Sequence, residues 1–134
     1  MSIRIFKSAL IRQQLSAQEL AWLEADFLSY KEDGILPDTF GRDALYDDAF
    51  TWPLVKAEQV AHIHLAEGGS PFPAYLRQFK RTSDRAHLVY CQGATHDNTY
   101  LLIIILKPDA HKKARDNNTM HKIGLMAEAF RMKY

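Results

Sequence analysis

Residues 100–106, YLLIIIL, are apolar without a break, and they run directly into Lys107, Pro108 and the polar stretch DAHKKARDNNTMHK (109–122). A half-exposed strand alternates apolar with polar side chains, whereas a strand apolar on both faces lies inside a sheet. The run is also far shorter than the ~20 residues of a membrane-crossing helix. It therefore predicts an inner strand that ends abruptly among cations, imidazoles and amides.

Upstream, AHLVYCQG (86–93) alternates, with His87, Val89 and Cys91 on one face and Leu88 and Tyr90 on the other. The intervening ATHDNT (94–99) reads as a hairpin turn, because Asp and Asn tolerate turn geometry. VAHIHLA (60–66) alternates as well, placing His62 and His64 opposite Ala61, Ile63 and Leu65. IRIFKSAL (3–10) reads as a short first strand.

Two helices frame these strands. Ser16 and Glu19 have capping-box spacing, Leu20, Leu23, Phe27 and Tyr30 recur at helical intervals, and Gly34 is placed to stop the turn. After Pro108, Ile123, Met126, Ala127 and Phe130 form a second stripe, with Asn117, Asn118 or Thr119 as its cap. ILPDTFGRDALYDDAFTWPL (35–54) reads as a loop or short helical turn pinned by its aromatics. The expectation is one α+β domain over residues 1–134. It has a mostly antiparallel sheet of about four strands, packed with an N-terminal and a C-terminal helix.

The net charge of +1 hides a segregation. Residues 1–58 carry six Lys/Arg against ten Asp/Glu, while residues 107–134 carry seven against three. The basic tail suggests an anion-binding face, and the acidic stretch 33–48 is expected on the opposite side. The N-terminal residues lack a signal-peptide pattern, and a lone cysteine, Cys91, forms no internal disulfide. Both point to a cytoplasmic protein with no membrane partner.

Arg77, Lys80, Arg81 and Arg85 lead into the strand carrying His87. Lys107, His111, Lys112, Lys113 and Arg115 follow the inner strand, with His121 and Lys122 beyond. If the strands neighbour one another, these groups converge at one sheet edge. Guanidinium and ammonium groups would neutralise a phosphodiester; one imidazole would take a 2′-hydroxyl proton while a second acid protonates the leaving 5′-oxygen. The same residues have plain structural readings: a solvated rim, a hydrogen-bonded core histidine, a helix cap. Phe72 and Tyr75 are candidates for stacking on exposed bases, or for packing under their loop. The H-x-H pair His62 and His64 is able to chelate zinc, but no thiolate pair or HExxH accompanies it. No metal or cofactor is expected.

Three segments carry a resemblance: LPDTFGRDALYDDAFTWPLVKAEQVAHIHLA (36–66), PFPAYLRQFKRTSDRAHLVYCQGA (71–94) and ILKPDAHKKARDNNTMHKIGLMAEAFRMKY (105–134). Together they are very similar to the YafO-type toxins, messenger-RNA interferases of bacterial type II toxin–antitoxin modules. More distantly the element order resembles the RelE/ParE superfamily. The resemblance implies a metal-independent endoribonuclease acting on mRNA at the ribosomal A site, against 16S rRNA, and neutralised by a cognate antitoxin. His87 and His111 are then the proton-transfer candidates, and Arg81, Arg85 and Lys107 the phosphate ligands. Lys80, Lys112, Lys113, Arg115, His121 and Lys122 would grip RNA or the ribosome. The rival expectations are a ParE-like toxin that poisons a protein such as gyrase, and a metal-dependent DNA nuclease built on His62 and His64.

Overall fold

The computed structural model describes residues 2–66 and 86–134. The described elements follow the order β1 (Arg4–Lys7), α1 (Ala9–Gln14), α2 (Ala17–Asp33), β2 (Phe40–Leu45), α3 (Pro53–Ala57), β3 (Ala61–Leu65), β4 (His87–Gln92), β5 (Thr99–Leu106), α4 (Ala110–Lys113) and α5 (Asn117–Lys133). The fold is α+β, as expected, and the described strands form one sheet of five in the order β1-β5-β4-β3-β2.

β5, the apolar run, is an inner strand with β4 antiparallel on one side and β1 parallel on the other. Its alternate residues feed two cores. Leu101 and Ile103 pack with Val89, Cys91 and helix α5, while Leu102 and Ile105 pack with Leu88, Tyr90 and Phe27 of α2. Burial on both faces is the physical reason that its sequence does not alternate.

β1 covers β5 only as far as Leu102. Beyond it, the exposed backbone edge is satisfied by side chains. Ser8 donates its hydroxyl proton to the Ile103 carbonyl, and the Gln14 amide exchanges two 2.8 Å hydrogen bonds with the Ile105 backbone. An edge finished in this way offers no template for another strand.

α2 has the anticipated signals. Ser16 and Glu19 complete a reciprocal capping box, and Gly34 ends the helix at φ 75°, a left-handed conformation that suits a residue without Cβ. The C-terminal helix is capped one residue earlier than expected: the Asp116 carboxylate accepts from the Thr119 amide.

The stretch 35–54 differs most from expectation, since residues 40–45 form edge strand β2 against β3. Its sequence, FGRDAL, carries a register shift between Phe40 and Asp43 that breaks the period-2 pattern. α3 and α5 pack closely at Gly124, where an added Cβ would meet Leu54 Cγ at 2.9 Å.

Candidate active site

His62 and His64 are separated by one residue on β3, so the pleat points both to the α5 side of the sheet. β4 brings His87 directly opposite His64 in antiparallel register. Four imidazoles gather as a result. His87 lies 4.6 Å from His62, 4.4 Å from His64 and 5.2 Å from His111, measured between ring centroids. The fourth, His111, comes from α4, just past the end of β5.

These rings are graded in depth. His87 is wholly buried and His64 is 3% exposed, whereas His111 is exposed. Tyr46, which follows β2, stacks on His62 with ring centroids 4.1 Å apart, and its hydroxyl lies 3.1 Å from His87 Nδ1. One tyrosine thereby orients two of the imidazoles. Burial pushes the Tyr46 hydroxyl pKa above its usual value, so it stays protonated.

The electrostatics keep His62 neutral. Burial first, and then the positive potential of His64, His111 and Arg42, lower its pKa from 6.5 to about 4. A backbone hydrogen bond with Ala44 works in the other direction. A neutral imidazole offers a lone pair at physiological pH.

Three of the four histidines, His62, His64 and His111, line a cleft of about 470 Å³ together with Arg42, Asp47, Asp48, Phe50 and Arg115. The Arg115 guanidinium sits 5.2 Å over the Phe50 ring, a cation–π contact that props it at the mouth. Asp48 is occupied by its own turn, accepting from the Phe50 amide and the Thr51 hydroxyl. The acidic stretch thus reaches the histidine side, contrary to expectation, because β2 carries it there.

A second groove, about 640 Å³, lies on the other side of α4 and is bordered by Lys107, Lys112, Lys113 and Arg115. Lys113 donates to the Lys107 carbonyl at 2.7 Å, tying the short helix back to the strand exit. Arg115 alone of these cations borders both hollows.

The expected residues therefore fall into groups. His87 of β4 and His111 of α4 meet in ring contact, with His87 beneath the surface rather than on it. Lys107, Lys112, Lys113 and Arg115 share one groove. His121 stands apart, its Nδ1 accepting from the Trp52 indole at 3.2 Å, and Lys122 is exposed beside it on α5. Lys80, Arg81 and Arg85, with Arg77, Phe72 and Tyr75, lie outside the described residues. Tyr46, Arg42, His62 and His64 were not among the expected catalytic set. For His62 and His64 the signal was the clean alternation of β3, which put both histidines on the face that also takes His87; Arg42 and Tyr46 had no such signal.

The model of the toxin YafO family, of type II toxin–antitoxin systems, matches residues 28–132. A curated relative, the mRNA interferase toxin YafO of Escherichia coli (strain K12), is 69% identical over 132 residues, covering 98% of this chain and 100% of the relative. No solved structure matches significantly.

Proposed function

Since the chain belongs to the YafO toxin family of type II toxin–antitoxin systems, we propose that it is an endoribonuclease that cuts messenger RNA, with a cognate antitoxin as its partner. In this reading residues 1–134 act as a single toxin domain in the cytoplasm. Among the described residues no helix is long and apolar enough to cross a membrane.

One observation carries the chemical reading: exposed His111 stands in ring contact with buried His87 at a cleft flanked by Arg42 and Arg115. His111 touches the RNA and takes the 2′-hydroxyl proton as that oxygen attacks phosphorus, and the leaving 5′-oxygen takes its proton from water as the P–O5′ bond breaks. His87, which RNA does not reach, orients His111 from behind. Arg42 and Arg115 neutralise the charge that grows on the phosphate, and Lys107, Lys112 and Lys113 hold the strand as it leaves across α4. Arg81 and Arg85 remain candidates for the same phosphate, and Lys80, His121 and Lys122 for the flanking RNA or 16S rRNA. This acid–base scheme needs no metal ion.

Among the described residues one imidazole at the cleft is exposed, which supports dependence on the ribosome. A scheme with one exposed imidazole gains if a second surface holds the RNA in line for attack. The A site of a translating ribosome is such a surface.

The test is cleavage of one defined messenger RNA with and without programmed ribosomes, reading the ends produced. EDTA is added to the free-RNA samples, and to the ribosome samples only with enough magnesium to keep subunits joined. Ribosome-dependent cuts ending in 2′,3′-cyclic or 3′-phosphate are expected. Absence of cleavage in every sample would instead favour a toxin that acts by binding a protein. EDTA-sensitive cutting of free nucleic acid would favour metal-dependent hydrolysis.

A further inference from the structure

His62, His64 and His87 each offer a ligand nitrogen, and the three nitrogens all lie within 4.8 Å of one another. Tetrahedral zinc with Zn–N bonds of about 2.0–2.1 Å holds its nitrogens roughly 3.4 Å apart. Closing the trio on a cation asks for ring rotations of about an ångström, and the histidine χ2 torsion is broad enough to permit them. The three imidazoles come from two paired strands and share one face, and two of them, His62 and His64, line the cleft. His111 stands on that side, 6.1 Å from His64.

The surroundings favour a cation that prefers nitrogen. His62 Nδ1 is buried with no hydrogen-bond partner among the described residues, while a backbone hydrogen bond with Ala44 engages the same ring. The Tyr46 hydroxyl lies against His87 Nδ1. With the proton on Nδ1 and donated to the tyrosine oxygen, Nε2 of His87 is the ligand atom. Outer hydrogen bonds of this kind fix the tautomer of metal-binding histidines. No carboxylate belongs to the trio, so magnesium, which needs oxygen ligands, does not compete.

We propose that His62, His64 and His87 form a zinc-binding site, and that zinc held there silences the toxin. The second half rests on the acid–base reading of the cleft. A His87 held by the ion is no longer free to orient His111, with which it is in ring contact. Zinc occupation and cleavage are therefore mutually exclusive.

The experiment begins with zinc-free full-length protein. Zn²⁺ is titrated against a chromophoric chelator, and Co²⁺ is added separately to read coordination from its visible spectrum. Expected are one ion per chain and the absorption of four-coordinate cobalt. His62→Gln and His64→Gln should each weaken zinc binding about tenfold or more. Tyr46→Phe, which removes only the outer hydroxyl, should weaken it about 10–100-fold. Circular dichroism confirms that each variant is folded. Cleavage by the wild type should fall in step with zinc occupancy and return on chelation. His62→Gln, whatever its own rate, should be indifferent to the same zinc concentration.

Failure to bind one zinc ion, or binding unchanged in both histidine variants, overturns the site. Stoichiometric binding with undiminished cleavage overturns the silencing. If zinc-free protein cuts nothing while the cobalt spectrum is as expected, the acid–base reading fails and the metal site stands.

Discussion

His111 stands edge-on to His87, with ring centroids 5.2 Å apart and planes at 90°, one ring exposed and the other fully buried. The two positions should answer differently to mutation. His111→Ala removes an exposed side chain from a short helix, so stability should shift by no more than about 0.5 kcal/mol. Its cleavage rate should fall by at least about 100-fold, the usual scale for losing a general acid or base. Ribosome co-sedimentation should be retained. A variant cutting at the wild-type rate would remove His111 from the chemistry. His87→Gln keeps a polar side chain beside Tyr46 and should also slow cleavage, with kcat reduced more than apparent affinity.

α4 divides two hollows, and Lys112 faces only the one without imidazoles. Replacing Lys112 and Arg115 together with alanine should weaken binding to programmed ribosomes. It should also lower the slope of log affinity against log salt by about 1 to 2, one for each phosphate that is no longer neutralised. The same slope with a weaker intercept would mean that these cations act through packing, as the Arg115–Phe50 pair allows.

The frame of this fold was legible because its strongest signals were local. A capping box, a C-terminal glycine and an unbroken apolar run each depend on a few adjacent residues. β2 was missed because a register shift interrupts its alternation and because FGRDAL is poor in β-branched residues. The histidine cluster was half visible. Alternation gave His62 with His64 and, separately, His87, but their meeting depends on the β3–β4 register, which no local pattern encodes. Tyr46 joins only because β2 is a strand, so missing the strand hid the tyrosine. Asp43 was overlooked for the same reason.

Asp43 accepts hydrogen bonds from the Tyr30 and Tyr90 hydroxyls, each at 2.8 Å, and lies 3.6 Å from the Lys31 ammonium. Burial lowers the Lys31 pKa, and Asp43 offsets this by favouring the charged form. Asp43→Ala would leave a half-buried ammonium and two hydroxyls without their acceptor, a loss of about 2–4 kcal/mol. Urea unfolding reads it directly. Adding Lys31→Met should recover part of the loss, since the stranded charge is then gone. If the double variant is no more stable than Asp43→Ala, the damage lies in the tyrosine bonds.

His62 sets the last expectation, because its pKa is depressed to about 4 from a reference of 6.5. Above pH 6.5 the ring is neutral in both the folded and the unfolded chain, and it adds no pH dependence. Between about 6.5 and 4 the unfolded chain takes up a proton that the folded one refuses. Unfolding is then driven by protons, so stability falls as the pH falls through that window and levels out below about 4. A shift of this size corresponds to roughly 3 kcal/mol between the two ends. Burial is the main cause, and the charges that oppose protonation come from three separate elements: His64 on β3, His111 on α4 and Arg42 on β2. His62→Phe keeps a ring to stack on Tyr46 but has no proton to bind. Its urea midpoint should therefore change less between pH 7.5 and pH 4.5 than that of the wild type. Equal changes in the two proteins would show that acid destabilises the fold through other groups, and that the cluster accepts charge at His62 without difficulty.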